Sequence, residues 1–194
     1  MCDGGTPMFV ACQCGHLSVV EYLCAEGAEI DAQMHDGATP LFIACQNGHS
    51  KVVSFLITKG ANVNGIRKDG TSPLWIASQM GHANIVHELL KNDADIDAAR
   101  CDGATSLFKA AHKGHILVID ELLPYKPNLG ILPNGESALH AAALFGHLDV
   151  VKLLVQAGAD PCLKNKSGES PIELARQMGH DHIEDYLSKY ETKS

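Results

Sequence analysis

The chain has 194 residues, enough for one domain or at most two, and its 45% apolar and 20% charged residues are the balance of a folded protein. No apolar run approaches the ~18 residues that cross a bilayer, so membrane insertion is not expected. The net charge of −8, with six acids and no Lys or Arg ahead of Lys51, lacks the basic face that nucleic-acid binding requires; that end is either a solvated surface or a dock for a basic partner.

Along the chain, the pair Gly-His recurs with its glycine at 15, 48, 81, 114, 146 and 179, every interval being 33 residues except one of 32. A fixed period of this length predicts stacked structural repeats. The first copy, "TPMFVACQCGH", predicts a short helix followed by a second with the stripe Val19, Val20, Leu23 and Cys24. In the second copy Asp36-Gly37 is a turn dipeptide. Thr39 stands as an N-cap with Pro40 at the first helical position, where its missing N–H costs nothing. Leu41, Ala44 and Cys45 then mark one helical face, and Gly48 ends the helix in a left-handed conformation. Val52, Val53, Leu56 and Ile57 form the stripe of a second helix, closed by Gly60, and the extended "ANVNGIRK" leads to the next turn. The same plan repeats at "SPLWIASQMGH", "TSLFKAAHKGH", "SALHAAALFGH" and "SPIELARQMGH". The units span 3–35, 36–68, 69–101, 102–133, 134–166 and 167–194, in a single domain. Ordering each unit costs ~1–2 kcal/mol per residue of backbone entropy, which two short helices cannot offset alone. Stability must come from stacking.

These residues resemble the ankyrin repeat. "DGATPLFIACQNGH" followed by "LITKGANVN" is similar to the D-G-x-T-P-L-H-x-A-A-x-x-G-H pattern and G-A-D-V-N ending of that family, over essentially the whole chain. The resemblance implies an all-α repeat solenoid of six copies, each a helix-turn-helix with a β-hairpin finger, in an L-shaped curved stack. It implies protein binding through the concave face and fingers, with contacts made by the finger residues and the two residues ahead of each Gly-His. Here those pairs begin with Gln13-Cys14 and continue as Gln46-Asn47, Gln79-Met80, His112-Lys113, Leu144-Phe145 and Gln177-Met178. Arg67, Lys68 and Arg100 are the basic finger candidates. Leu144-Phe145 is expected to place two large apolar groups in solvent as a hot spot, unless the rings fold against neighbouring fingers. The resemblance also makes Asn64, eight residues after Leu56, a candidate for asparaginyl hydroxylation.

Subtracting the repeat leaves little chemistry. Fifteen of 18 glycines and six of 11 histidines fall at repeat positions, so no phosphate-binding glycine loop remains. His180 and His182 have H-x-H spacing, but no acid or Cys completes a metal cluster. The seven cysteines, at 2, 12, 14, 24, 45, 101 and 162, contain no C-x-x-C and fall mostly at core positions. No cofactor, no metal and no catalysis are expected. The reduced thiols, and an opening "MCDGGTPMFV" unlike a signal peptide, suggest an intracellular protein of the cytoplasm or nucleus, monomeric, with a protein partner.

Departures from the pattern carry the rest. The family's helix-one His is Phe9, Phe42, Trp75 and Phe108 in the first four copies, His140 in the fifth and Glu173 in the sixth. The four aromatics are expected to replace a ladder of hydrogen bonds by buried apolar area. In the fourth copy, one residue short, Pro124 should stop the second helix early and make the finger irregular. The outcome is either a tolerated deletion or a kink that re-aims the last two copies. In the sixth, Glu173, Arg176, Glu184 and Ser188 make a polar C-terminal cap. The first has no polar outer face, which suggests an exposed sticky surface or a further repeat ahead of it in a longer form. Two functions follow: a non-enzymatic interaction scaffold, or a recognition module detached from a larger enzyme, ubiquitin-ligase adaptor or channel.

Overall fold

The computed structural model describes residues 5–191. Among them twelve α-helices run in six pairs: α1 (Pro7–Gln13) with α2 (Leu17–Ala25), α3 (Pro40–Asn47) with α4 (Ser50–Thr58), and α5 (Pro73–Met80) with α6 (Ala83–Lys91). They continue with α7 (Ser106–Lys113) and α8 (Ile116–Leu122), α9 (Ala138–Leu144) and α10 (Leu148–Gln156), and α11 (Pro171–Met178) and α12 (Asp181–Glu191). Odd-numbered helices pack on one another in sequence and form one layer. Even-numbered helices form the second layer, each against its own partner. The result is an all-α repeat solenoid.

The same local chemistry starts every odd helix. Thr6, Thr39, Ser72, Thr105, Ser137 and Ser170 lie in extended backbone, and each hydroxyl accepts the N–H three residues on, at 3.1 to 3.4 Å. This satisfies a donor that the first helical turn leaves open, worth about 1 kcal/mol per cap. Leu41, Leu74, Leu107 and Leu139 of the odd helices and Val53, Val86, Ile119 and Val151 of the even ones are all buried in one continuous core. Because that core runs through every interface, no pair holds its own.

The fingers differ from expectation. No described residue joins a β-strand. Each finger is a turn instead, typified by Arg67 N–H donating to the Thr71 carbonyl at 3.0 Å and Gly70 N–H to the Arg67 carbonyl at 2.9 Å. The Asp69 carboxylate secures it by accepting the Thr71 N–H at 3.1 Å. The arms leave at once for the next helix, so no ladder has room to form. Single backbone bonds join successive fingers: Lys68 N–H to Asp36 at 2.9 Å, Cys101 N–H to Asp69 at 3.0 Å and Lys166 N–H to Gly135 at 3.0 Å. In the fourth finger Pro133 takes the donor's place and has no N–H to give.

The shortened fourth unit absorbs its deletion locally. Pro124 ends α8 after seven residues, against nine for α4 and α6, and the chain continues as a 3-10 turn over Leu123–Tyr125. Lys126 then adopts φ +55°, the left-handed place held by Gly60 in the second unit and by Asp93, at φ +61°, in the third. The missing residue falls before Leu132, whose N–H still closes the finger on Glu136 at 2.8 Å. Helix α9 packs directly on α7, so the stack continues across the deletion. At the far end α12 buries Ile183 and Leu187, while Glu184 accepts from Arg176 Nε at 2.8 Å. At the near end Val10 and Val19 are exposed.

Candidate functional site

The Gly-His histidines decide the geometry of the variable pairs. His16, His49, His82, His115 and His147 make no side-chain cap bond to their own helices. Five of the six Gly-His histidines reach back to the preceding unit. Nε2 of His49, His82, His115, His147 and His180 lies 3.0, 3.2, 2.9, 3.1 and 3.1 Å from the carbonyl oxygens of Gln13, Gln46, Gln79, His112 and Leu144. Each acceptor is the first residue of a variable pair. The backbone of the pair is therefore locked by the next unit, while its side chains stay free to differ. The sequence showed the histidine period but not this reach, because the acceptor is a carbonyl that every residue carries.

The pairs lie at the C-terminal ends of successive odd helices. Gln46, Gln79, His112 and Leu144 are half-buried; Asn47, Met80, Lys113, Phe145, Gln177 and Met178 are exposed. Asn47 Nδ2 donates to the Gln13 carbonyl at 3.0 Å, and Gln177 Nε2 to Glu169 at 2.8 Å. Three apolar side chains face solvent in this row: Phe145 at 46%, Met80 at 48% and Met178 at 55% exposure. Of the pair read as solvent-facing, Phe145 is the exposed member. Its ring packs on His112, centroids 4.1 Å apart.

The finger residues divide. Arg67 pairs with Asp36 of the preceding finger at 2.7 Å and lies over the Phe42 ring at 5.4 Å. Arg100 repeats this with Asp69 at 3.6 Å and the Trp75 ring at 4.8 Å. Both guanidiniums clasp neighbouring units, whereas Lys68 is exposed. Asn64 also bridges units. Its Oδ1 accepts Asp95 N–H at 2.9 Å and its Nδ2 donates to the Asp93 carbonyl at 3.0 Å. Asp31 and Asp97 hold the equivalent place and accept the N–H of Asn62 and Asn128.

The aromatic row needs a correction. Phe9, Phe42 and Trp75 are buried and Phe108 is half-buried, but the hydrogen-bonded ladder is not fully replaced. Trp75 Nε1 donates to the Ala104 carbonyl at 3.0 Å, the same inter-unit rung that His140 Nε2 makes with the Glu169 carbonyl at 3.1 Å. An indole, unlike a phenyl, keeps the donor. Burial pushes the Cys12 thiol up to about 12 and raises that of Cys45 as well, so both are protonated apolar fillers. Among the described residues no three His, Cys, Asp or Glu side chains gather as a metal site, and no helix is long and apolar enough to cross a membrane.

A family model described as ankyrin repeats (3 copies) matches residues 9–100 and 93–165. The chain belongs to the ankyrin repeat family. Ankyrin repeat domain-containing protein 29 of Homo sapiens is 57% identical over 54 residues, 28% of this chain and 18% of that protein. Its Danio rerio counterpart is 53% identical over the same length. Notch-regulated ankyrin repeat-containing protein of Xenopus tropicalis is 43% identical over 65 residues, 32% of this chain and 57% of that one. The matched part is under a fifth of the first relatives' length and just over half of the third's. Ankyrin repeats generally mediate protein–protein interaction.

Proposed function

We propose that the chain is a non-enzymatic protein-interaction scaffold that holds a partner against its inner face, along the odd-helix ends and fingers. The observation that carries this reading is the row of locked backbones with unlocked side chains. Five histidine rungs fix the carbonyls beside which Met80, Lys113 and Phe145 project. A surface ordered before binding loses little further entropy on association. Exposed methionine and phenylalanine side chains supply adaptable apolar contact.

Proximity labelling in cells tests it, with the full chain as wild type and as Met80→Asp/Phe145→Asp. Both positions are solvent-facing, so the variant should melt like the wild type while losing the wild type's partners. An unchanged partner set would remove the reading. A second reading, a recognition module working within a larger protein, draws on the exposed Val10 and Val19 of the first helix pair. Long-read transcripts joining this coding sequence to another domain would support it, and transcripts encoding this array alone would count against it.

A further inference from the structure

One position along the odd helices reads Val10, Ile43, Ile76, Lys109, Ala141 and Leu174. Ile43, Ile76, Ala141 and Leu174 are buried. Lys109 alone places an ammonium in this aliphatic row. Its Nζ lies 5.6 Å from the centroid of the Trp75 ring, which also carries the Arg100 guanidinium at 4.8 Å. Lys113 follows one turn along α7 and is exposed. Among the described residues neither lysine has a carboxylate within 4.0 Å, and nearby Asp102 is taken by Arg100 at 3.8 Å.

Asp69 and Asp102 are taken up by Arg100, so the positive charge left without an ion pair is that of the two lysines. Burial, then Lys113 and Arg100, hold the Lys109 ammonium below its usual pKa, against a smaller opposing pull from Asp102. Burial, then Lys109, Lys113 and His147, do the same to His112. His112 therefore stays a neutral ring against Phe145, and its Nδ1 has no hydrogen-bond partner. Two lysines without an ion pair, an unpaired imidazole nitrogen and an exposed phenyl thus gather on a protein of net charge −8.

We propose that α7 and Phe145 dock an acidic linear segment of a partner protein, carboxylates on Lys109 and Lys113 and an apolar side chain on Phe145. This rests on the inner face being the binding face. Residues four apart on a helix stand ~5–6 Å apart, and alternate residues of an extended peptide rise ~6.6 Å, so an acid-x-acid segment reaches both lysines. Carboxylates there offset the mutual repulsion of the cations where water is already partly excluded. A nucleic acid fits less well. Its closely spaced phosphates would meet only two unpaired lysines here, on a chain of net charge −8.

Peptide-phage selection against the full chain tests the inference, with Lys109→Met/Lys113→Gln as comparison. Met restores the apolar atoms that neighbouring units carry, and position 113 is exposed, so the variant should fold; circular dichroism and melting check this. Peptides selected on the wild type should be rich in alternating Asp and Glu. The best of them should bind the variant about tenfold or more weakly, and the wild type more weakly as salt rises. Neutral or basic peptides, or equal binding to both proteins, would overturn it. So would tighter binding of a uridine decamer than of the peptide, or lysine-dependent self-association in sedimentation velocity. Peptides lost on Met80→Asp/Phe145→Asp but indifferent to the lysines would sink this inference and leave the inner-face reading standing. Peptides indifferent to both variants, or no enrichment at all, would sink both.

Discussion

Gly114 and Gly179 offer a controlled perturbation within one molecule. Both have φ +73°, so an alanine at either takes the same left-handed penalty. A Cβ at Gly179 would meet nothing within 4 Å, whereas one at Gly114 would stand 2.6 Å from Nδ1 of His147. The left-handed conformation costs about 1–2 kcal/mol for a residue with a Cβ, reduced by ~0.4–1 kcal/mol because alanine restricts the unfolded chain. Gly179→Ala should therefore cost about 1 kcal/mol. Gly114→Ala must in addition displace the imidazole and its 3.1 Å bond to the His112 carbonyl, worth about 1 kcal/mol net. Lost ring packing adds to this, so about 2–4 kcal/mol is expected. Urea unfolding followed by circular dichroism, for both alanines and for each in a His147→Ala background, separates the terms. In that background Gly114→Ala should fall to the cost of Gly179→Ala, while Gly179→Ala should not change. Because an end repeat can unfold by itself, the comparison of Gly114→Ala with and without His147 decides. Equal costs in the two backgrounds would refute the claim that the glycine is required by the next unit's histidine.

Trp75→Phe removes the indole rung to Ala104 and part of the ring volume, and should destabilise by about 2 kcal/mol; Trp75→His should keep the rung, so a hydrogen-exchange signature at the α5–α7 interface distinguishes the two. Lys164 and the Ser170 backbone and hydroxyl hold the Glu173 carboxyl at about 2, below its ordinary 4.5. A depressed carboxyl stabilises the fold above 4.5 and loses that contribution as pH falls towards 2, so melting over that range should fall more steeply for the wild type than for Glu173→Gln. Burial lowers the pKa of His140, so stability should also decline as pH falls below its ordinary 6.5, and less so in His140→Asn. Asn64 is tied at both ends of its amide to the next unit, so an asparaginyl hydroxylase must open that finger; a mass gain of about 16 Da confined to residues 61–66, slowed in more stable variants, would fit, and no gain would remove Asn64 as a target.

The helices were legible because their signals are local and periodic. A hydroxyl before each odd helix, a proline behind four of them and a glycine after each are read without knowing what lies alongside. What escaped depends on neighbours. The finger's failure to pair as strands follows from how soon Pro40 or Pro73 opens the next helix. The reach of His82 to Gln46 ends on a carbonyl, which no residue letter marks. Asp93 and Lys126 take a glycine conformation without being glycine, and Trp75 hides a donor inside an apolar row. Lys109 did carry a signal: it is the charged member of an otherwise aliphatic position, visible once the six copies are laid over one another.

Pro133 divides the finger edge into two separately bonded lengths. Backbone bonds tie the fingers at 36–68 and 69–101 into one comb and those at 135–166 into another, with contact but no backbone hydrogen bond where Pro133 meets Gly103. Under tension or warming this edge should part first at the seam between them, with the packed α7 and α9 as the spine of the hinge. Lys109 lies near enough to the seam to feel the Asp102 carboxylate, whereas Lys113 and Phe145 lie at the C-terminal ends of α7 and α9. An edge jointed in this way would let the spacing of the fingers change at Pro133 without breaking a histidine rung elsewhere.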